Sequence, residues 1–263
     1  MTNRPSSSVL GLSLLAAISA GCSLHVGCAG GSSWNVNGVR LTEQHTEVLA
    51  APSLGADGIA IDIPAGQVRF ESTTGAPSIE VVVHEKTKGD ASVRYERGAL
   101  VVTTKSGEPA ALGDVLVRTN GPLAKASIDT GAGDVSLNGL QVQAGLRVDS
   151  GAGGVLFSDG SVQGDLSIES GAGDVELARV KCADLKLSSG AGDIRIAAVE
   201  ARKAELDSGA GDLRLSNCTL VEIDADTGVG DVDVVDCTYQ KSDFDTGVGD
   251  VRVRSDAAHK SNG

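Results

Sequence analysis

Through the second half of the chain, aliphatic residues come in pairs separated by one polar residue, and the pairs recur every 19 or 20 residues. The repeat opens on a short phrase, acid–hydroxyl–Gly–Ala/Val–Gly–Asp–aliphatic, whose first glycines are Gly131, Gly151, Gly171, Gly190, Gly209, Gly228 and Gly247. Counted from these, place +4 holds Val135, Val155, Val175, Ile194, Leu213, Val232 and Val251, and place +6 holds Leu137, Phe157, Leu177, Ile196, Leu215, Val234 and Val253. A second pair falls near +9 and +11 (Leu140 and Val142, Val180 and Cys182) and a third near +15 and +17 (Leu146 and Val148, Leu166 and Ile168). An apolar–polar–apolar spacing of two is that of a strand with one buried side. Three pairs per repeat predict three short strands and three corners, and no helical period competes.

A fixed period in this range marks a solenoid, in which each repeat is one rung and neighbouring rungs cover each other's apolar side. The predicted fold is all-β, a single-stranded parallel β-helix of triangular section with about seven regular rungs. At ~4.8 Å per rung the array spans roughly 33 Å. The general preference for right-handed crossovers favours a right-handed coil. Residues 121–254 hold the regular rungs; 34–120 read as β without a clean repeat and supply an irregular cap. Strands are expected there at Gly58–Ile63, Gln67–Glu71, Ile79–His84, Val93–Glu96 and Leu100–Thr104. Residues 255–263 read as a polar tail that, with Arg252 and Arg254, protects the last edge.

The N-terminus changes the cellular picture. Residues 1–21 combine Arg4, an apolar run from Val9 to Ala20 and small residues before Cys22, as an export signal does. The segment resembles a bacterial lipoprotein signal, which implies cleavage before Cys22, lipidation of that residue and attachment to a membrane without a crossing helix. Ser19 departs from the leucine usual in that pattern, and a plain secretory cut near Ala20 or Ala29 is the alternative. Ser23 after the cysteine implies, within the same resemblance, the outer membrane. Residues 22–33 read as a flexible tether.

Composition then excludes partners more than it names them. A net charge of −13 repels nucleic acid. The remaining cysteines, Cys28, Cys182, Cys218 and Cys237, form no C-x-x-C pair, so a zinc or redox motif is not indicated. Cys218 and Cys237 occupy one place in successive rungs, as stacked buried thiols or, in an oxidising compartment, as a disulfide.

The lipoprotein-like start, the segment IAIDIPAGQVRFES and the copies beginning ASIDTGAGDVSLNGL together resemble the bacterial cell-envelope family known as putative adhesins, built of β-strand repeats with tGxGDv turns. The resemblance covers about residues 55–254. It implies the β-repeat fold and no assigned catalytic residue.

The candidate chemistry is carried by carboxylates. Place +3 holds Asp134, Asp174, Asp193, Asp212, Asp231 and Asp250, and place −2 holds Asp129, Asp149, Glu169, Asp207, Asp226 and Asp245, so stacking lines twelve acids along one corner. Repulsion between neighbours, about 0.8 kcal/mol per pair at ~5 Å in water, needs an offset. One is backbone N–H donation at the glycine turn. The other is Ca²⁺ bridging adjacent rungs through Asp174, Asp193, Asp207, Asp212, Asp226, Asp231, Asp245 and Asp250.

Ile128–Ala132 and Leu206–Ala210 match the aspartic-protease phrase hydrophobic–Asp–Thr/Ser–Gly–Ala, yet copies related by translation lack the two-fold axis that chemistry needs. A polysaccharide-acting β-helix enzyme is the other catalytic alternative. Against it, the rungs carry almost no insertions, the aromatics Phe157, Tyr239 and Phe244 fall on inward places, and His25, His45, His84 and His259 all lie outside the array. The sequence therefore points to a non-catalytic, lipid-anchored module of the cell envelope whose partner is a cell-surface glycan or an envelope protein, with no resident cofactor.

Overall fold

The computed structural model describes residues 34–254; the signal, Cys22, Cys28, the tether and the tail beyond Arg254 lie outside the described residues. Two long sheets run the length of the molecule, one of eleven strands (sheet I) and one of ten (sheet II), with a short third side between them. The array is a β-solenoid of about seven regular turns. Sheet I is built from places +4 to +7, the strands Val135–Asn138, Val155–Ser158, Val175–Ala178, Ile194–Ala197, Leu213–Ser216, Val232–Val235 and Val251–Arg254. Each pairs in parallel with the equivalent strand of the next rung, residue for residue, with no slip. Sheet II stacks the third aliphatic pair in the same way, from Ala126–Thr130 to Lys241–Val248.

On the third side only Gln141–Val142 and Ser161–Val162 form a ladder, continued by single bridges at Lys181 and Thr219. From Glu200–Ala210 onward this side runs straight into sheet II as one eleven-residue strand. All three aliphatic pairs point inward, from Leu137 and Phe157 to Leu187, Ile196 and Leu215, and are buried in one continuous core. A one-residue slip would turn every one of them to solvent, so burial itself fixes the register.

The expected strands of residues 34–120 are present as Ile59–Ile63, Val68–Ser72, Ser78–Glu85, Ala91–Glu96 and Ala99–Thr104. Two of them form a full rung of the stack, which sequence reading treated as irregular. Ile59–Ile63 lies parallel beneath Ala126–Thr130, and Val68–Ser72 beneath Val135–Asn138. Pro64 and Gly66 take the corner places of Gly131 and Gly133. Residues 73–125 are an insertion between this rung and the next.

That insertion turns parallel stacking into antiparallel pairing and closes the N-terminal end. Ala111–Thr119 continues sheet I in parallel, Ser78–Glu85 then runs against it, and Glu43–Ala50 against that. On sheet II the hairpin Ala91–Glu96/Ala99–Thr104 plays the same part. Glu85, fully buried there, accepts N–H bonds from Gly89 (2.6 Å) and Ala91 (2.8 Å) and contacts His45 Nδ1 at 3.0 Å. Burial raises its pKa, but these N–H groups and His45 outweigh it and hold the carboxyl below its ordinary value.

The other end is built differently. Val251 and Val253 occupy inward places but are 41% and 50% exposed, and Tyr239 and Phe244, in edge-to-face contact, are half-buried. Arg252 reaches back to Asp231 and Arg254 to Asp233, on the rung below. These arginines therefore decorate the outer face of sheet I and do not shield the final edge.

Candidate binding face

The corner between sheet II and sheet I is the most constrained backbone in the molecule. At Gly192 the backbone has φ +157°, and a Cβ built there would lie 2.3 Å from the carbonyl oxygen of Gly173 in the rung below. At Gly190 the conformation is unremarkable, but a Cβ would come within 2.5 Å of the Gly171 carbonyl oxygen. Both glycines of the phrase are thus demanded by rungs stacking at strand distance. From Ser189 onward the residue before the first glycine is a hydroxyl, buried except at Thr246, that donates to the second glycine's carbonyl one rung below: Ser189 to Gly173 (3.0 Å), Ser208 to Gly192 (3.0 Å), Thr227 to Gly211 (2.8 Å) and Thr246 to Gly230 (2.8 Å).

The carboxylates separate into two ladders on two faces, where sequence reading placed all twelve on a single corner. The +3 aspartates stand at the start of sheet I, and the −2 acids point outward from sheet II, because the four residues that turn the corner lie between them. In the +3 ladder each carboxylate accepts the backbone N–H of the same place in the next rung. Asp134 takes Gly154 N–H at 2.9 Å, Asp174 takes that of Asp193 at 2.9 Å, Asp193 that of Asp212 at 2.8 Å, Asp212 that of Asp231 at 2.8 Å and Asp231 that of Asp250 at 2.9 Å. The donor was expected within the same turn; it comes from the rung above.

Arginines at +5 hold the second carboxylate oxygens. Arg195 bridges Asp174 (2.9 Å) and Asp193, Arg214 bridges Asp193 (3.1 Å) and Asp212 (2.5 Å), and Arg252 bridges Asp231 (2.6 Å) and Asp250 (2.6 Å). The Asp193 N–H, then Arg195, holds Asp174 below the usual carboxylate range; the Asp250 N–H, then Arg252, does the same for Asp231. Sequence reading missed these arginines because their partners lie two residues away on one side and 21 on the other.

The −2 ladder on sheet II runs Asp62, Asp129, Asp149, Glu169, Ser188, Asp207, Asp226, Asp245 in exact lateral register. Arg147 links Asp149 and Glu169. Burial and the neighbouring Asp62 and Asp149 carboxylates push Asp129 above its ordinary pKa, with Arg147 opposing.

The candidate calcium ligands are thereby divided. Asp174, Asp193, Asp212, Asp231 and Asp250 belong to the first ladder; Asp207, Asp226 and Asp245 belong to the second. Among the described residues, no three histidine, cysteine or carboxylate side chains converge in a metal-binding group. The two protease-like aspartates, Asp129 and Asp207, stand on the same face four rungs apart, about 19 Å at strand spacing, and share no proton. Cys218 and Cys237 are unbonded thiols in successive rungs, with the Cys218 N–H reaching Cys237 Sγ at 3.4 Å.

A second corner, at place +8, also carries positive φ: Gly139 (67°), Asp159 (55°), Arg179 (56°), Ala198 (54°), Asn217 (54°) and Asp236 (52°). Gly, Asn and Asp in one column were the sequence signal for it, since these types tolerate the left-handed region. Asn217→Val is expected to cost about 1–2 kcal/mol while Asn217→Gly stays within about 0.5 kcal/mol. Chemical denaturation of the two variants checks this, and equal midpoints would refute it.

The outer face of sheet I, with places +3, +5 and +7 exposed between inward aliphatics, carries two shallow open depressions of about 420 and 370 Å³. The first lies over Gly154 and Leu156; the second runs past Arg195 and Arg214. The face is suited to lying against an extended surface.

Residues 145–262 match the family described as Toastrack DUF4097. The fold is shared with the crystal structure of a putative adhesin from Bacteroides fragilis NCTC 9343, at 18% identity, over 81% of this chain and 97% of that one, with a TM-score of 0.55. It is also shared with a putative lipid binding protein from Parabacteroides distasonis ATCC 8503, at 13% identity, over 81% and 97% of the two chains, with a TM-score of 0.50. No curated protein sequence matches the chain significantly. The glycine corners and stacked aspartates of residues 145–262 are thus those of a stretch that matches the Toastrack DUF4097 model, within a β-solenoid fold shared with these structures.

Proposed function

We propose that this protein is an exported, lipid-anchored module of the cell envelope that binds a surface partner through the outer face of its solenoid and performs no chemistry. The supporting observation is how the +3 ladder spends its polar groups. From Asp174 to Asp250 its aspartates are tied to backbone N–H groups, arginines or both in successive rungs, as a rigid wall requires and as a catalytic acid or base cannot be. Rigid, regular faces with shallow open depressions favour contact over a broad area. The adhesin and lipid-binding names of structures with this fold agree with a binding role. Attachment through Cys22 accords with the described residues containing no helix long and apolar enough to cross a membrane.

Detergent phase partitioning of the full-length protein tests the anchor. The wild type is expected in the detergent phase and the Cys22→Ser variant in the aqueous phase. Aqueous partitioning of both would overturn lipid attachment. A glycan array and an envelope-extract pulldown with the mature protein test the binding role, and hydrolysis of any glycan on the array would refute the non-catalytic assignment.

A further inference from the structure

One rung breaks the repeat twice at the same spot. Gly154 stands where six of the seven copies carry aspartate, and Leu156 stands two residues on, at an outward place. The glycine is not demanded by the backbone. Its φ lies outside the left-handed region, and an added Cβ would meet nothing closer than the Asp174 carbonyl oxygen at 3.5 Å and Asp134 Oδ1 at 3.8 Å. This contrasts with Gly190 and Gly192, where a Cβ would collide with backbone. Leu156 is 40% exposed on the face where other rungs present Arg195, Arg214 or Glu176.

The two departures open the 420 Å³ depression on sheet I. Without a side chain at 154 and without an arginine at 136 or 156, the Asp/Arg bracing that begins at Asp174 and Arg195 does not extend over this part of the face. Asp134 keeps its N–H bond from Gly154 through Oδ1 and lines the trough. Arg69 closes one end and Glu176 the other, three rung steps or about 14 Å apart, with Leu156 between them.

We infer that this trough is a subsite for a short oligosaccharide of two or three rings lying along the stacking axis. The inference deepens the binding role proposed above and rests on it. A sugar chain offers an aliphatic C–H face for Leu156, hydroxyl donors for Asp134 and Glu176, and oxygen acceptors for Arg69. Other ligand classes fit less well. A net charge of −13 repels a polyanion. An extended peptide needs a free strand edge, which the middle of a sheet does not offer. An acyl chain needs more apolar surface than one leucine supplies.

The test is titration of the mature protein with cellotriose, chitotriose and triglucosamine, followed by calorimetry or NMR. Wild type is expected to bind at least one. The double variant Gly154→Asp/Leu156→Arg restores the repeat's own residues, so it is expected to melt no lower than wild type and to lose at least about tenfold in affinity for that probe. Arg69→Ala, at an exposed position, is expected to weaken binding severalfold with an unchanged melting midpoint. Binding that survives in both variants overturns the subsite and leaves the broader binding role standing. Failure of all three probes overturns the subsite as well; capture of another partner by the same preparation would show the broader role intact.

Discussion

Gly192→Ala is expected to destabilise the solenoid by about 3–5 kcal/mol, one of the largest losses available to a single methyl group in this chain. Two costs add. A φ of +157° is open to glycine almost alone, and the new Cβ would sit 2.3 Å from the Gly173 carbonyl oxygen and 2.6 Å from its carbon. Neither atom can swing aside, because both belong to the corner below, whose own glycine stacks on Gly153 in the same way. Relief would require opening the rung spacing, and that spacing is set by the parallel ladders of both long sheets. The neighbouring Ala191→Val is the control. Its place is exposed and is already filled by Val229 and Val248 in later rungs, so a change within about 0.5 kcal/mol is expected. Urea midpoints of the two variants decide the matter. A Gly192→Ala midpoint equal to wild type would mean that the corners are not in backbone contact.

Phe157→Ala is expected to cost about 3–5 kcal/mol. Phe157 is fully buried and among the largest side chains of the core, stacked between Leu137 and Leu177 in the inward +6 column. Its rung has made room for it: a Cβ on Gly160 would lie 2.1 Å from the phenyl Cε2. The small residue opposite the large one means that truncation leaves a void with no neighbour able to fill it. Leu156, one residue earlier and facing out, is the internal comparison, with Leu156→Ala expected within about 0.5 kcal/mol. Similar losses for the two variants would contradict the inward–outward alternation on which the fold rests.

Much of this architecture is written along the chain. The 19–20-residue period, the three aliphatic pairs and the glycine phrase are each visible in the sequence, and the structure uses all three as sequence reading expects. The rung Ile59–Ser72 escaped notice because Pro64 and Gln67 replace the marker residues and residues 73–125 break the period. The Asp/Arg bracing escaped for another reason. Arg195 reads as one more polar residue on an outer face until the rung below sets Asp174 beside it. The hydroxyl column behaves alike: Ser208 looks like turn punctuation, yet its partner is Gly192 O, sixteen residues back.

The candidate subsite was the least legible part. Gly154 and Leu156 appear in sequence only as exceptions to a pattern. Their meaning depends on knowing that a side chain at 154 would be tolerated, which only the distances to Asp134 and Asp174 reveal.

By itself the sequence determined which side chains face inward and where the chain turns, because the side-chain period of an extended strand and the φ freedom of glycine are properties of a few adjacent residues. Only the tertiary structure decided which carboxylate meets which N–H and arginine, which glycines are compelled and which are free, and that one end of the stack is sealed while the last described rung leaves Val251 and Val253 uncovered. Those outcomes depend on contacts between rungs, and stacking sets atoms side by side that the chain keeps about twenty residues apart.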